Sequence, residues 1–376
     1  MKIFLDGVSL INKDLGGVGY YCYNLIKHLQ QVDRENNYTV IYNKSKLKTL
    51  GLIKAPEKKV SYPYRNILRI LGPHFLYHVP LECFTGNFDI YHGTGYVFLP
   101  TRKAKKVITV HDLVSKHFPE ILTPSNLYFQ EKQVPYYANK ADRIIAVSQS
   151  TKNDLVNFLQ INPNKIDVTY LAADKIYQPL DMEDPNFTVI RKKYSLPEKF
   201  ILHIGTLNER KNIPTTLQSF YRLCIKGCEH DLVLVGGKGN AYDDVMAMIT
   251  KLRLENRVKY IGYTDIADLP YLYNLADLFL HVSKLEGFGL PVLEAMQCGT
   301  PVLVSNGSSL PEIVQEAGIM ANPLDVDDIE KKMEIILQDE QLRRELSLKG
   351  IRQAEKFSWE KMARETIETY QKTLAV

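Results

Sequence analysis

One pattern recurs along this chain and restricts its fold more than any other. A short apolar run ends in a glycine turn and is followed by residues with helical periodicity. Lys2–Asp6 precedes Gly16-Gly17-Val18-Gly19 and a helix-like stretch with apolar Tyr21, Leu25 and Leu29; Phe200–Ile204 runs into Gly205, Asp231–Val235 into Gly236-Gly237, and Arg257–Ile261 into Gly262. Runs that are apolar throughout, not alternating, suit strands buried on both faces, and strands separated by helices pair in parallel. Because the pattern occupies both halves, it predicts an α/β protein of two Rossmann-like, doubly wound domains. Length agrees, since 376 residues exceed one typical domain and suit two of about 180. Pro179, Pro185 and Pro197 interrupt the regular pattern between 172 and 198, which reads as a linker between domains at 1–171 and 199–357.

The chemistry is expected at Leu285-Glu286-Gly287-Phe288-Gly289-Leu290-Pro291-Val292-Leu293-Glu294. Its glycines permit close backbone approach, and Pro291 suits the first position of a helix. Such a helix start aims unpaired N–H groups at an anion, with phosphate the usual guest. Glu294 then lies one turn in, its side chain leaning back toward that guest. Two carboxylates would repel a bare phosphate, so the ligand should also carry hydroxyl groups for them to accept from, as sugars do. The plain alternative is that Glu294 only complements the helix dipole and Glu286 is solvated. Arg210 and Lys211, in the loop after Gly205, stand where a diphosphate would need cations, and charge-assisted bonds exceed what backbone donors supply. A solvent-facing Arg-Lys pair is the alternative. His111-Asp112 closes the run Lys106–Val110, and the C-terminal end of a buried strand is where open α/β sheets bind ligands.

Other classes are excluded or weakened. The first glycine loop lacks a full G-x-G-x-x-G, and the second strand ends in Asn43 where an acidic ribose ligand would stand, against a nicotinamide site. Asp325-Val326-Asp327 matches a metal-binding D-x-D but precedes an amphipathic stretch, where an aspartate makes an ordinary cap. Cys22, Cys83, Cys224, Cys228 and Cys298 are odd in number and lack zinc spacing, so they read as reduced thiols in a cytoplasmic protein. Asp6 and Asn12-Lys13-Asp14 interrupt any signal peptide, and no run approaches the roughly 18 apolar residues of a membrane span. Residues 1–171 hold 22 Lys+Arg against 13 Asp+Glu, the remainder 25 against 30. The basic first half suits an anionic partner, either a peripheral contact with a membrane surface or a phosphorylated acceptor, or is simply solvated. The aromatic and arginine-bearing stretch at 62–71 is its candidate element, with a partly buried helix as the alternative. No nucleic-acid partner is expected.

Glu286 and Glu294, with seven residues between them that include Gly-Phe-Gly-Leu-Pro, resemble the signature of the retaining glycosyltransferases of family 4. That resemblance extends from Gly16-Gly17 to the last helix. It implies a GT-B fold, two Rossmann-like domains facing an interdomain cleft, and a terminal helix, 358–376, that crosses back to the first domain. It further implies a donor site of Gly17, Gly205, Arg210, Lys211, Tyr263, Ser283, Glu286, Gly287, Phe288, Gly289, Leu290 and Glu294. His111, Glu286, Arg210 and Lys211 take catalytic roles, and Asp112 orients His111 or meets the acceptor. Glu286 would hold sugar hydroxyls, Glu294 the ribose, and Arg210, Lys211 and the N–H groups of 288–292 the diphosphate. One departure is Thr206, where the family often has arginine after the strand glycine. The wording Gly-Thr-Leu…Arg-Lys-Asn and Val-His-Asp-Leu is similar to mannosyltransferases of bacterial polysaccharide assembly. The expected partners are therefore a nucleotide diphosphate sugar, GDP-mannose first, and a glycan or lipid-linked acceptor, with no metal or cofactor. A glycan phosphorylase, a nucleotide-sugar epimerase or an inactive sugar-nucleotide-binding protein are the rival readings.

Overall fold

The computed structural model describes residues 1–11, 16–42, 57–59 and 80–375; the stretch at 62–71 lies outside them. The chain divides into two compact units, residues 1–171 with 358–376, and residues 172–357. Each is built on one sheet in which every pairing is parallel.

In the first unit the strands are β1 (Lys2–Asp6), β2 (Asn37–Tyr42), β3 (Glu57–Lys59), β4 (Ile90–Gly93), β5 (Lys105–Val110), β6 (Arg143–Ala146) and β7 (Ile166–Val168), ordered β3-β2-β1-β4-β5-β6-β7. In the second they are β8 (Phe200–Ile204), β9 (Asp231–Val235), β10 (Val258–Gly262), β11 (Leu278–His281), β12 (Val302–Ser305) and β13 (Ile319–Ala321), ordered β10-β9-β8-β11-β12-β13. Both orders reverse direction beside their first strand, and that switch point, at the C-terminal strand ends, is where such sheets bind ligands. The central strands are fully buried, Ile3 and Leu5 in β1 and Ile201 and Leu202 in β8 among them, as helices on both faces require.

Helix Gly17–Val32 covers the first sheet with Tyr21, Cys22, Leu25, Ile26 and Leu29, all buried. The last helix, Trp359–Leu374, belongs to this unit although the whole second unit precedes it in sequence. Trp359 meets Tyr20 edge-on at 5.8 Å, and Tyr370 Oη lies 2.6 Å from His92 Nδ1. Ser358 caps that helix, accepting from Lys361 N at 3.0 Å.

Two readings need correction. Residues 172–198 are part of the second unit instead of a linker: they contain helix Asn186–Tyr194, whose Phe187 packs edge-on against Tyr271 at 5.2 Å, and Leu180 N donates to Asn274 Oδ1. Prolines punctuated the sequence without separating the stretch from its core. Pro291 takes the second position of helix Leu290–Gln297, not the first, because Gly289, at φ 112°, serves as the N-cap. Among the described residues no helix is long and apolar enough to cross a membrane.

Candidate active site

In the second unit the loops after β8 and β11, the two strands at the switch point, meet through charge. After Gly205 the chain makes a tight turn, Glu209–Lys211, capped by Asn208, whose Oδ1 accepts from Lys211 N at 3.2 Å. Asn212 ends the turn in the left-handed region (φ 59°) and donates from Nδ2 to the carbonyls of Val282 at 3.0 Å and Pro323 at 2.6 Å. The turn is thereby tied to the β11 loop. Space is equally defined at Gly236, where φ is 139° and a Cβ would stand 2.1 Å from the Gly205 carbonyl oxygen.

This scaffold brings Arg210 and Lys211 to Glu286, some 75 residues away. Arg210 Nη1 donates to Glu286 Oε2 at 2.7 Å and to the Leu285 carbonyl at 2.7 Å. Lys211 Nζ meets Oε1 at 2.7 Å, and His281 Nε2 lies 3.0 Å from the same oxygen. Glu286 is 7% and Lys211 6% exposed. Burial pulls the Glu286 carboxyl upward, but Arg210, Lys211 and His281 reverse that and hold it well below the usual carboxylate range. Burial also lowers His281, helped by the Lys211 charge. The cluster thus carries two cations, one carboxylate and a neutral imidazole, one net positive charge in a nearly dry setting. Ion pairs there are stronger than at a surface, and costly to leave half made.

The backbone at Glu286 is held separately. Ser308, in the left-handed region at φ 60°, accepts from Glu286 N at 3.0 Å. Ser309 Oγ lies 2.9 Å from the Glu286 carbonyl and 2.7 Å from that of Phe288, its one proton serving either. Ser309 stands at the N-cap of the next helix but makes no side-chain capping bond, because its hydroxyl is turned onto the Glu286 loop.

The remaining candidates fall in varied places. Gly287, Phe288 and Gly289 form the turn into helix Leu290–Gln297; Phe288 is buried edge-on to Phe357 at 6.0 Å, and a Cβ on Gly289 would come 2.5 Å from Leu310 Cδ2. Of the N–H groups expected between 288 and 292, Pro291 has none and Val292 N donates to the Gly289 carbonyl at 3.0 Å, which narrows the anion-facing set to residues before the proline. Ser283 is fully buried, with no hydrogen-bond partner for Oγ among the described residues. Tyr263, just past β10, is 66% exposed. Glu294 is buried, and its Oε2 accepts from Tyr273 Oη at 2.8 Å. Burial raises its carboxyl to about 7, against the hydrogen bonds from Tyr273 and Tyr177.

In the first unit, Gly17 opens its helix and is exposed; a Cβ there would meet nothing within 4 Å. His111 follows β5, packed edge-on between Tyr21 (5.0 Å) and Tyr96 (5.6 Å). Its Nε2 is 2.9 Å from the Thr94 carbonyl, so Nε2 carries the proton and Nδ1 is left as an acceptor. Burial lowers its pKa and keeps the ring neutral. Asp112 is held by Tyr96 Oη at 3.0 Å and Gln130 Nε2 at 3.3 Å; it does not hydrogen-bond to the His111 ring. Asp325 accepts from the N–H groups of Asp327 and Asp328 as a helix cap. His281 and Tyr273 were missed in the sequence. A polar residue closing an apolar strand had singled out His111, and the same sign at Leu278-Phe279-Leu280-His281 would have found His281.

Comparison with known proteins agrees with this layout. Residues 15–175 match the family described as Glycosyltransferase Family 4, and residues 186–353 match Glycosyl transferases group 1. O-antigen chain mannosyltransferase B of Escherichia coli is 35% identical over 283 residues, 75% of this chain and 74% of that protein. The serotype-specific mannosyltransferase WbdA of Escherichia coli is 30% identical over 315 residues, 81% of this chain but only 37% of that longer protein. Among solved structures, sucrose-phosphate synthase from Thermosynechococcus elongatus superposes with a TM-score of 0.78 at 20% identity, covering 100% of this chain and 99% of that one. Anabaena HepE, in complex with UDP and glucose, gives 0.77 at 19%, covering 99% and 100%. With the family matched along both units and a relative above 30% identity spanning most of each chain, the protein belongs to the family 4 glycosyltransferases and has the GT-B fold.

Proposed function

We propose that this glycosyltransferase moves a hexose, mannose first, from a nucleotide diphosphate sugar to a hydroxyl of a glycan or lipid-linked glycan, with retention at the anomeric carbon and without a metal. The observation that carries this reading is the Arg210–Glu286–Lys211 cluster at the β8/β11 switch point. As the bond between anomeric carbon and phosphate oxygen breaks, charge gathers on the leaving diphosphate. Arg210 and Lys211 stabilise it in place, which is electrostatic preorganisation. The acceptor oxygen attacks the face the diphosphate leaves, and its proton passes to a phosphate oxygen. Glu286 meets hydroxyls of the sugar, and Glu294 the ribose. His111, with Nδ1 as acceptor, takes a sugar hydroxyl. The likeness to mannosyltransferases over most of the chain supports mannose and a polysaccharide acceptor.

Incubation with GDP-mannose, UDP-glucose and ADP-glucose, with and without acceptor glycan, tests the reading through nucleotide diphosphate release, and proton NMR of the product reads the anomeric configuration. GDP release in chelator with an α-linked product is expected. Tight GDP binding without release from any donor would instead mark an inactive sugar-nucleotide-binding protein.

A further inference from the structure

Among the side chains on Glu286, His281 has no task in the chemistry above. It ends β11, is fully buried, and places Nε2 3.0 Å from Glu286 Oε1. That carboxylate is ionised and can only accept, so the contact requires the proton on Nε2. Nδ1 is then the bare nitrogen, and it is buried with no hydrogen-bond partner among the described residues. The ring is clamped, with the Phe279 ring 5.6 Å away at 14° and the His203 ring 5.4 Å away at 10°. His203 is itself fixed by Nδ1, 3.0 Å from the Leu280 carbonyl. A donor so held points one way.

The other two partners of Glu286 are cations. On the donor reading above, on which this inference rests, Arg210 and Lys211 also bind the diphosphate, an anion of higher charge than the carboxylate. Arrival of the donor therefore draws both cations toward phosphate and weakens their hold on Glu286 when that group must face the sugar. A neutral N–H is drawn far less. We propose that His281 is a positioning residue whose Nε2–H keeps Glu286 Oε1 anchored while Arg210 and Lys211 engage the diphosphate, leaving the carboxylate aimed at the hydroxyls of the transferred sugar. His281 does not touch donor or acceptor, and its effect passes through Glu286.

Gln can present a donor near the place of Nε2, whereas Ala cannot, so His281→Gln and His281→Ala separate a hydrogen bond from simple packing. With GDP-mannose as donor, His281→Ala should lower kcat roughly 10- to 100-fold, the scale of a misplaced catalytic group. KM should stay within about twofold, as for an interaction made in the transition state alone. His281→Gln should recover most of the loss, and in a Glu286→Ala background, which leaves no acceptor for Nε2–H, His281→Ala should add nothing further. Equal losses for Ala and Gln, or losses that multiply in the double variant, would overturn the proposal. A 15N spectrum of histidine-labelled wild-type protein reads the tautomer with no donor present. A proton on Nε2 supports the anchor, and a bare Nε2 overturns it. Lack of turnover with GDP-mannose alongside a protonated Nε2 would count against the donor reading, with the anchor upheld.

Discussion

Each sheet carries a buried histidine on the strand that neighbours its first, and the two have different uses. His92 on β4 sits between hydroxyls, Nδ1 2.6 Å from Tyr370 Oη and Nε2 2.8 Å from Thr109 Oγ1, which is itself 2.8 Å from Tyr21 Oη. It ties the strand to the two helices that carry these tyrosines. His281 on β11 donates from Nε2 to Glu286 at 3.0 Å, while the Lys211 ammonium, also a donor, lies farther from that nitrogen at 3.5 Å. Burial keeps both rings neutral. The same strand order, with the same residue type beside the switch point, thus yields a neutral, structural network in one unit and a charged one in the other. The architecture specifies where polar groups gather; what they do depends on the partner loops.

The charged network should give the largest effects. Lys211→Met leaves Glu286 with Arg210 and His281, so its cost in stability should stay below the roughly 3–5 kcal/mol of a buried pair broken outright. Activity should fall on the order of 10²- to 10³-fold, as when a transition-state donor is removed. After Lys211→Met the Glu286 carboxylate is still balanced by Arg210, so adding Glu286→Gln strips that guanidinium of its partner. In urea titrations the double variant should be less stable than Lys211→Met alone; a double variant more stable than Lys211→Met would mean the cluster is held together by something other than charge pairing.

The neutral network should respond to acid. His92 is lowered to about 3 by burial, with His111 adding to it, while an unfolded histidine titrates near 6.5. A lowered native pKa means the unfolded chain binds the proton first. The His92 contribution is therefore full above about 6.5 and is lost progressively as pH falls toward 3, with a slope of up to about 1.4 kcal/mol per pH unit. His92→Phe should lower stability at pH 7.5 by roughly 1–3 kcal/mol, chiefly by orphaning Tyr370 Oη. It should also bind one proton fewer on unfolding between pH 6.5 and 5. Unchanged acid sensitivity in that variant would remove His92 from the account.

Glu294 adds a third kind of buried polar group, a carboxyl bonded by neutral tyrosine hydroxyls and raised by burial and, to a lesser extent, by the Asp174 charge. Its native value of about 7 lies above that of a free glutamate, so its protonated form stabilises the fold at low pH and that contribution is lost as pH rises through 7. If its carboxylate accepts from ribose, donor affinity changes in the opposite sense. Calorimetry with GDP should show tighter binding as pH rises from 6 to 8, by up to about tenfold per unit below the midpoint. Tyr273→Phe, which removes a bond to the charged form, should move that midpoint upward. A pH-independent affinity would detach Glu294 from the nucleotide.

Much of this architecture was legible because it rests on local patterns. Apolar runs ending in glycines located the strands, and strand ends located Gly205 and His111. Arg210, Lys211 and Glu286 were legible as residues, but their mutual grip was not, since it depends on Asn212 tying two loops 70 residues apart. The proline-rich stretch at 172–198 misled for the opposite reason: prolines mark breaks in local structure, whereas membership of a unit depends on contacts such as Phe187 with Tyr271.

Serines at two helix starts make the smallest and finest test of the contrast. Ser148 caps helix Gln149–Leu159 in the ordinary way, its Oγ accepting from Thr151 N at 3.1 Å. Ser309 occupies the same position before helix Leu310–Val314 yet donates to the Glu286 loop. Ser148→Ala should therefore cost about 1 kcal/mol of stability and leave kcat unchanged. Ser309→Ala releases a backbone that Ser308 still holds, so the displacement of Glu286 should be slight, and kcat should fall about 2- to 5-fold, equivalent to 0.5–1 kcal/mol in the barrier. Steady-state kinetics beside urea titrations resolve the two. If both serines changed stability alone, the hydroxyl of Ser309 would be holding up a helix start, and the positioning of Glu286 would fall to Arg210, Lys211 and His281.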